Sequence, residues 1–286
     1  MGNELPRAFL FGAGGTGQNL LPLVKKEYQV AGFVDNDPNL GKGGVLGLPV
    51  YPPEALTREE YDAVIVTSYQ GMQPITRQLL GMGIDGRKIV TKYVQIQAEA
   101  RILFLERAGR LIRENSVEGC CAEGGVFEGA FAREINRVFP DRKLYLFDTF
   151  EGFDARDVTV EAAKGFSDAE ANAGYLSKSC ENRVLEALPF SERAVIRKGF
   201  FPETAAGLEA ETFCFVNLDF DLYVPIFAGL EFFVPRMSKG GYILVHDYFS
   251  DRYKGVKQAV ADFRTDRMPL NLFPIGDGIS IGIGFW

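Results

Sequence analysis

Two stretches constrain this chain more than any other: residues 213–223, FCFVNLDFDLY, and their echo at 242–248, YILVHDY. Each opens as a short run of β-branched and aromatic residues, the composition of a strand buried on both faces of a parallel sheet, and each stops abruptly at acids. In open α/β sheets ligands collect outside the carboxyl ends of the strands. Two adjacent strands ending in Asp219 and Asp221, and in His246 and Asp247, would aim four polar groups into one crevice. Carboxylates that close repel one another unless a proton or a cation lies between them. A hard divalent metal takes oxygen ligands and leaves positions open for water or substrate, so it is the natural occupant, with Asp219, His246 and Asp247 as the expected ligands. A plainer reading makes these acids caps of the helices that follow. A cap needs one acid, however, and here three stand beside the only histidine of the chain.

The rest of the composition is that of an ordinary soluble globular protein: 286 residues, 47% hydrophobic and 24% charged, enough for two cores. A net charge of -7 with no run of Lys or Arg argues against nucleic acid as a partner. No apolar stretch approaches the ~20 residues that span a membrane. The opening MGNELPRAFLFGAGG has an apolar patch too short for a signal peptide, and Pro6 stands where a myristoylation site carries Ser or Thr. A cytoplasmic location is the expectation. Cys120, Cys121, Cys180 and Cys214 make no C-x-x-C pair, and three lie in strand-like runs, so buried free thiols are expected.

In chain order, a strand at 7–11 feeds directly into Gly12-Ala13-Gly14-Gly15-Thr16-Gly17, and residues 18–27 have helical composition. This is G-x-G-x-x-G between a strand and a helix, where glycines allow a tight turn and bring helix-start amides close to a phosphate. The next strand, 30–34, ends at Asp35, the place of an acid that holds ribose hydroxyls. Gly12, Gly14, Gly17 and Asp35 are therefore the candidate nucleotide residues, against the alternative of a Rossmann half that binds nothing. Strands at 61–67 and 88–91 and a helix at 71–82 complete this half.

Residues 95–114 change to a helical pattern, with Ile96, Leu103, Ala108 and Leu111 recurring among charges, and read as a connector. A second strand-helix alternation follows: strands at 117–122, 143–147 and 194–197, helices at 131–139 and 181–188, then the two organising strands with helices at 226–236 and 255–265. Strands at 270–274 and 280–285 flank Gly276-Asp277-Gly278, a hairpin signal. The expected fold is α/β with two Rossmann-like domains: a small N-terminal parallel βαβ domain over 1–94, a connecting helix over 95–116, and over 117–286 a class I methyltransferase sheet ending in an antiparallel hairpin.

In the second domain the first strand-to-helix turn is Cys121-Ala122-Glu123-Gly124-Gly125-Val126-Phe127-Glu128-Gly129. Glycines there admit a ligand to the backbone, and Glu123 can accept hydrogen bonds from an ammonium group. Asp148 ends the next strand, placed for a ribose. Such a turn and acid describe S-adenosylmethionine as well as NAD. The cluster at the organising strands breaks the tie, because metal-dependent methyl transfer to oxygen uses such ligands and nicotinamide chemistry does not require them.

Two resemblances sharpen this. The GFVDNDP of 32–38, the GLPV of 47–50 and the YDAVIV of 61–66 resemble the N-terminal nucleotide-sugar-binding domain of bacterial sugar acetyltransferases over about the first 95 residues, which implies a ligand like a UDP-sugar, or a domain kept for architecture, at least as readily as NAD. From about residue 118 to 263 the chain resembles the macrocin O-methyltransferase family, which methylates sugar hydroxyls with S-adenosylmethionine and magnesium. The resemblance rests on EGGVFEG, LFDTFEGF, KGFFPET, NLDFDLY, GGYILVHDY and YKGVKQAVADF, in that order. It implies cofactor contacts from Glu123, Gly125, Val126, Phe127, Gly129 and Asp148, with Thr149 and Phe150 near the adenosine, and a metal-binding acid at Asp219. The paired acids that the family carries on the fifth strand stand here as His246 and Asp247. Imidazole suits transition metals better than magnesium, so manganese becomes a candidate beside it.

The expected function is S-adenosylmethionine-dependent, divalent-metal-dependent O-methylation of a sugar hydroxyl on a glycoside, nucleotide-sugar or polysaccharide precursor. A cation acidifies the hydroxyl, and Asp219 or His246 takes its proton. The rivals are an NAD-dependent protein using the Gly12 turn, and a nucleotide-sugar-binding protein whose methyltransferase half is not catalytic. The expected partner is a small sugar-containing molecule; the sequence leaves a homo-oligomer open and does not name the acceptor. Residues 151–180, polar and carrying Phe153, Phe166 and Tyr175, read as a lid with aromatic surface for a sugar ring.

Overall fold

A computed structural model of the chain describes residues 4–40, 43–68, 71–167, 180–250 and 252–286. They form two units, 1–100 and 101–286, and the division falls within the helix Lys92–Glu114.

The first unit is an all-parallel sheet of β1 (Arg7–Phe11), β2 (Gln29–Val34), β3 (Val50–Tyr51), β4 (Ala63–Val66) and β5 (Ile89–Val90), in the order β3-β2-β1-β4-β5. β4 shows why such strands read as unbroken apolar runs. Ala63 and Ile65 face a core closed by Leu20, Leu21 and Val24 of the helix Gly15–Val24, while Val64 and Val66 face a core that includes Leu79 of the helix Met72–Gly81. β3 was not expected from sequence, since two residues are too few to show a period.

The second unit contains β6 (Cys120–Gly124), β7 (Leu144–Asp148), β8 (Ala194–Lys198), β9 (Phe213–Leu218), β10 (Met237–Val245), β11 (Asn271–Pro274) and β12 (Ile281–Gly284). Their order is β11-β12-β10-β9-β6-β7-β8. All neighbours are parallel except β12, which runs antiparallel to β10 and β11, so the hairpin closes one edge as expected. One face packs Val216, Leu218, Ile243 and Val245 against the helices Tyr223–Phe233 and Lys254–Asp266. The other packs Cys214, Phe215 and Leu244 against Leu105, Ala108 and Ile112 and against the helix Ala130–Val138. Strand order reverses between β6 and β9, and a crevice forms outside the carboxyl ends of strands at such a point.

Three differences from the sequence expectations bear on function. β6 runs two residues further than 117–122, because Glu123 and Gly124 pair with Leu146 and Phe147 on one side and Asn217 and Leu218 on the other. Glu123 is therefore a buried strand residue, 1% exposed, and not a loop residue. The helix after β9 starts at Tyr223, three residues before the expected 226, because Pro225 falls in its first turn where a missing N–H costs nothing. The segment expected to be a lid holds a helix, Ala155–Lys164, capped by the Asp154 side chain on the Arg156 N–H (2.9 Å) and ended by Gly165 in the left-handed region. Phe166 packs on Tyr223 and Phe153 on Tyr253; Tyr175 lies outside the described residues. Of the cysteines, Cys121 and Cys214 are buried as expected, while Cys120 and Cys180 are half-buried.

Candidate active site

The reversal between β6 and β9 brings Glu123 opposite Asn217, and the Asn217 side chain donates to Glu123 Oε1 at 2.8 Å. Glu123 Oε2 is buried without a hydrogen-bond partner among the described residues. Burial pushes this carboxyl up to about 8, with the Arg101 charge pulling it down and the Asp219 charge adding to the rise.

Just beyond β9 and β10, Asp219, His246 and Asp247 come together, with one donor atom from each within 4.8 Å of the others. His246 Nδ1 lies 2.9 Å from Asp219 Oδ1 and 3.1 Å from Asp247 Oδ2, so a single N–H is shared between two carboxylates. Arg101 Nη2 donates to Asp219 Oδ2 at 2.9 Å and to Asn217 Oδ1 at 3.1 Å, and its guanidinium stacks 4.0 Å from the Phe131 ring centroid. Burial works against ionisation of Asp219, but the His246 and Arg101 charges outweigh it and hold the carboxyl well below its usual range. For His246, burial and Arg101 oppose protonation, and the two carboxylates prevail, raising it to about 10. Asp221 is pushed well above the carboxylate range by burial, then by the charges of Asp247 and Asp219. Two oxygens and one imidazole nitrogen at this spacing fit a divalent ion that accepts nitrogen, provided His246 gives up its proton and Arg101 its hold on Asp219.

The turn residues expected around a cofactor are tied to one another. Asp148 Oδ2 accepts from Val126 N (2.7 Å) and Phe127 N (2.9 Å), and Oδ1 from Phe150 N (2.7 Å). A carboxylate has about four acceptor sites, so roughly one is left for a ribose hydroxyl. Thr149 Oγ1 is turned onto the Gly152 carbonyl. Gly125, at φ 82°, is required by a neighbouring chain: a Cβ there would overlap the main chain of Asp219. Gly129, at φ 78°, caps the helix Ala130–Val138 against Val184. Phe127 (φ 49°), Phe150 (56°), Asp221 (63°) and Asp247 (55°) all adopt the left-handed region at these strand ends, the kind of strain that gathers at functional sites.

In the first unit Asp35 behaves alike: Oδ2 accepts from Ala13 N at 2.7 Å and Oδ1 from Asp37 N at 2.9 Å. Gly12 and Gly17 are fixed by packing, since a Cβ on Gly17 would overlap the Gly12 carbonyl and one on Gly12 the Thr67 hydroxyl. Gly14 faces open space.

Sequence reasoning missed Asn217 and Arg101. The first had a signal, an amide in the middle of the apolar run FCFVNL. The second had none, because Arg101 is one of many charges on a long helix and only the fold shows that it reaches Asp219.

A doubly wound sheet with an antiparallel hairpin and a charged switch point defines the class I methyltransferase fold, and comparison with known proteins agrees. Residues 85–274 match the macrocin-O-methyltransferase (TylF) family, and the chain belongs to this family of O-methyltransferases. Residues 5–90 match the family described as C2185-like, N-terminal. The 8-demethyl-8-(2,3-dimethoxy-alpha-L-rhamnosyl)-tetracenomycin-C 4'-O-methyltransferase of Streptomyces olivaceus is 27% identical over 172 residues, covering 57% of this chain and 65% of that protein. The chain thus spans just under two thirds of that relative's length. Among solved structures, the O-methyltransferase NovP is 23% identical with a TM-score of 0.52, covering 65% of this chain and 79% of its own. CalS11, a calicheamicin methyltransferase, is 20% identical with a TM-score of 0.50, covering 76% and 86%. At these identities the two structures bear on the fold alone. Among the described residues no helix is long and apolar enough to cross a membrane.

Proposed function

We propose that the chain transfers a methyl group from S-adenosylmethionine to a hydroxyl of a sugar carried on a glycoside, nucleotide-sugar or polysaccharide precursor. Residues 117–286 would form the transfer domain and 95–116 its connector. The observation that carries this reading is the meeting, at one switch point, of the buried Glu123–Asn217 pair, the turn held by Asp148 and the Asp219, His246, Asp247 cluster. The relative from Streptomyces olivaceus, named for methylating a rhamnosyl group, supports a sugar as acceptor.

In this reading Glu123 receives the ammonium of the cofactor's amino acid end. The turn from Gly125 to Gly129 and the remaining acceptor capacity of Asp148 fix the nucleoside, with Thr149 and Phe150 alongside. Asp219 takes the hydroxyl proton: its carboxylate stays ionised, whereas His246, raised to about 10, is already protonated in the state described. Once neutral and with no ion bound, His246 would keep its Nδ1–H on the carboxylates and offer Nε2 as an alternative proton acceptor; as an ion ligand it would give up that role. A divalent ion on Asp219, His246 and Asp247, magnesium or more readily manganese, would supply the charge that acidifies the hydroxyl. Most of the acceleration then comes from holding oxygen, methyl and sulfur in line at ~3 to 3.5 Å. The methyl leaves sulfur for oxygen, and the proton leaves oxygen for the acceptor, so the sulfonium charge is lost as S-adenosylhomocysteine forms.

Residues 1–94 are read as a nucleotide or nucleotide-sugar-binding domain, supported by Gly14, which leaves the turn open to a ligand. The test is methyl transfer to a panel of rhamnosides and nucleotide-sugars, followed by mass spectrometry, beside a mass spectrum of small molecules released from the purified protein. Bound S-adenosylhomocysteine and a methylated sugar are expected. Copurified NAD with no transfer to any acceptor would replace this reading with an NAD-dependent one.

A further inference from the structure

The register of β9 against β6 slips by one residue. Cys120 pairs with Phe213 and Cys121 with Phe215, so Cys214 is an extra residue without a partner across that pair. Side chains alternate along a regular strand, yet Cys214 and Phe215 both enter the core that holds Leu105, Ala108 and Ile112. The slip thus turns Cys214 toward Cys121. Their sulfurs lie 3.8 Å apart, and both residues are fully buried. Arg142, half-buried, stands beside them: it donates to the Gly119 carbonyl at 2.8 Å, and Gly119 is pressed against the Cys214 amide, where a Cβ would come within 2.9 Å. The Cys121 thiol and the Arg142 charge outweigh burial and hold the Cys214 thiol below its ordinary range, while burial pushes Cys121 up. One sulfur is suited to attack and the other to carry the proton. The adjacent Cys120 differs on each count. It packs on the opposite face of the sheet, donates to Glu211 Oε2 at 3.3 Å, and is pushed up to about 12 by burial and by that carboxylate.

We propose that Cys121 and Cys214 are a peroxide-reactive dithiol that closes reversibly to a disulfide between β6 and β9. The Cys214 thiolate attacks one oxygen of hydrogen peroxide: an S–O bond forms, the O–O bond breaks, and hydroxide leaves with the proton that Cys214 gave up. The Cys121 sulfur then attacks the sulfenic acid sulfur. An S–S bond forms, the S–O bond breaks, and the departing hydroxide takes the Cys121 proton and leaves as water. Two thiols lose two electrons, and the peroxide is reduced to two waters. Closure draws the sulfurs from 3.8 Å to about 2.05 Å, and strands ~4.8 Å apart place their Cα atoms within reach of such a bond. The tether would sit two residues before Glu123 and three before Asn217, on the strands that frame the switch point. The reaction does not depend on methyl transfer.

Peptide mapping of the full chain without reductant tests this, after exposure to hydrogen peroxide and alkylation of the remaining thiols. A disulfide joining the peptides of Cys121 and Cys214 is expected in most molecules, lost on treatment with dithiothreitol and still formed in Cys120→Ser. Cys121→Ala should leave Cys214 as a sulfenic acid that dimedone labels, whereas Cys214→Ala should leave no label on Cys121. If either Ala variant does not fold, fragmentation of the linked wild-type peptides assigns the bond to Cys121 or to Cys120. A folded protein whose half-buried Cys180 is oxidised while Cys121 and Cys214 remain thiols would overturn the proposal. A link that forms only in denaturant, or that runs through Cys120, would do the same.

Discussion

The chain builds the same local device twice. In the first unit β1 turns through Gly12 to Gly17 into a helix, and Asp35 at the end of β2 accepts the Ala13 amide. In the second, β6 turns through Gly124 to Gly129 into a helix, and Asp148 at the end of β7 accepts the Val126 and Phe127 amides. In both, some glycines are demanded by chains that pass too close for a Cβ, and the acid stitches the turn together. The two units part at the neighbouring strand. β4 runs out at Thr67, whose hydroxyl is spent on the Phe11 and Gly12 carbonyls at 2.9 and 3.0 Å. β9 runs out at Asp219, among His246, Asp247 and Arg101. Glycine turn and acid are thus architecture common to both; what sets the second unit apart is the charged end of the next strand over.

The largest test of that contrast is Asp219→Asn, which keeps shape and removes charge. It should lower methyl transfer by about 10²- to 10⁴-fold, the range for a lost proton acceptor or preorganised charge, while S-adenosylhomocysteine still binds. Activity close to wild type would mean that the acids of β9 and β10 are structural, as Thr67 is in the first unit. Next comes the imidazole. His246→Asp should move metal preference from manganese toward magnesium in a titration of transfer by chelator-stripped protein. An unchanged ranking would remove His246 from the ligand set. The third test sets one turn against the other by denaturant unfolding. Gly125→Ala, forced to φ 82° and into the Asp219 main chain, should cost at least about 1–3 kcal/mol. Gly14→Ser meets open space at a helix start that lacks a side-chain cap, and should stabilise by about a few tenths of a kcal/mol. A Gly125→Ala variant as stable as wild type would show that the second turn can relax.

How much of this could be read without coordinates depended on how local the cause was. β9 and β10 were legible because burial on both faces writes an unbroken apolar run, and their acids stood out against it. The edge hairpin was legible from Gly276-Asp277-Gly278. The end of β6 was misjudged because Glu123 looks like a loop residue until its two neighbouring strands are known. The helix Ala155–Lys164 was hidden by its charged and small residues: its inward face offers Val158 and a buried Glu161, a pattern that gives no apolar stripe. Arg101 lay beyond any local reading, since its partners Asn217 and Asp219 follow more than a hundred residues later.

The effect expected from Glu123 is a matter of pH. Without ligand its carboxyl is raised to about 8, chiefly by burial, so at neutral pH it is mostly protonated. An ammonium is held by the carboxylate, so binding S-adenosylhomocysteine near neutral pH must expel that proton. Affinity should therefore rise with pH, by up to tenfold per unit below about 8, and level off above it; between pH 7 and 8 a change of about fivefold is expected. The same shift acts on stability with the opposite sign. A carboxyl whose folded value is raised favours the protonated form, so its contribution is best below the unfolded value and is lost progressively as pH rises toward about 8. Glu123→Gln should flatten both dependences and weaken binding at high pH. Calorimetry in two buffers of different ionisation enthalpy would count the released proton directly, and 5'-methylthioadenosine, which has no ammonium, should release none. A pH-independent affinity for S-adenosylhomocysteine would mean that Glu123 stays protonated beneath the ligand, as a neutral strand residue, and that the ammonium is met elsewhere.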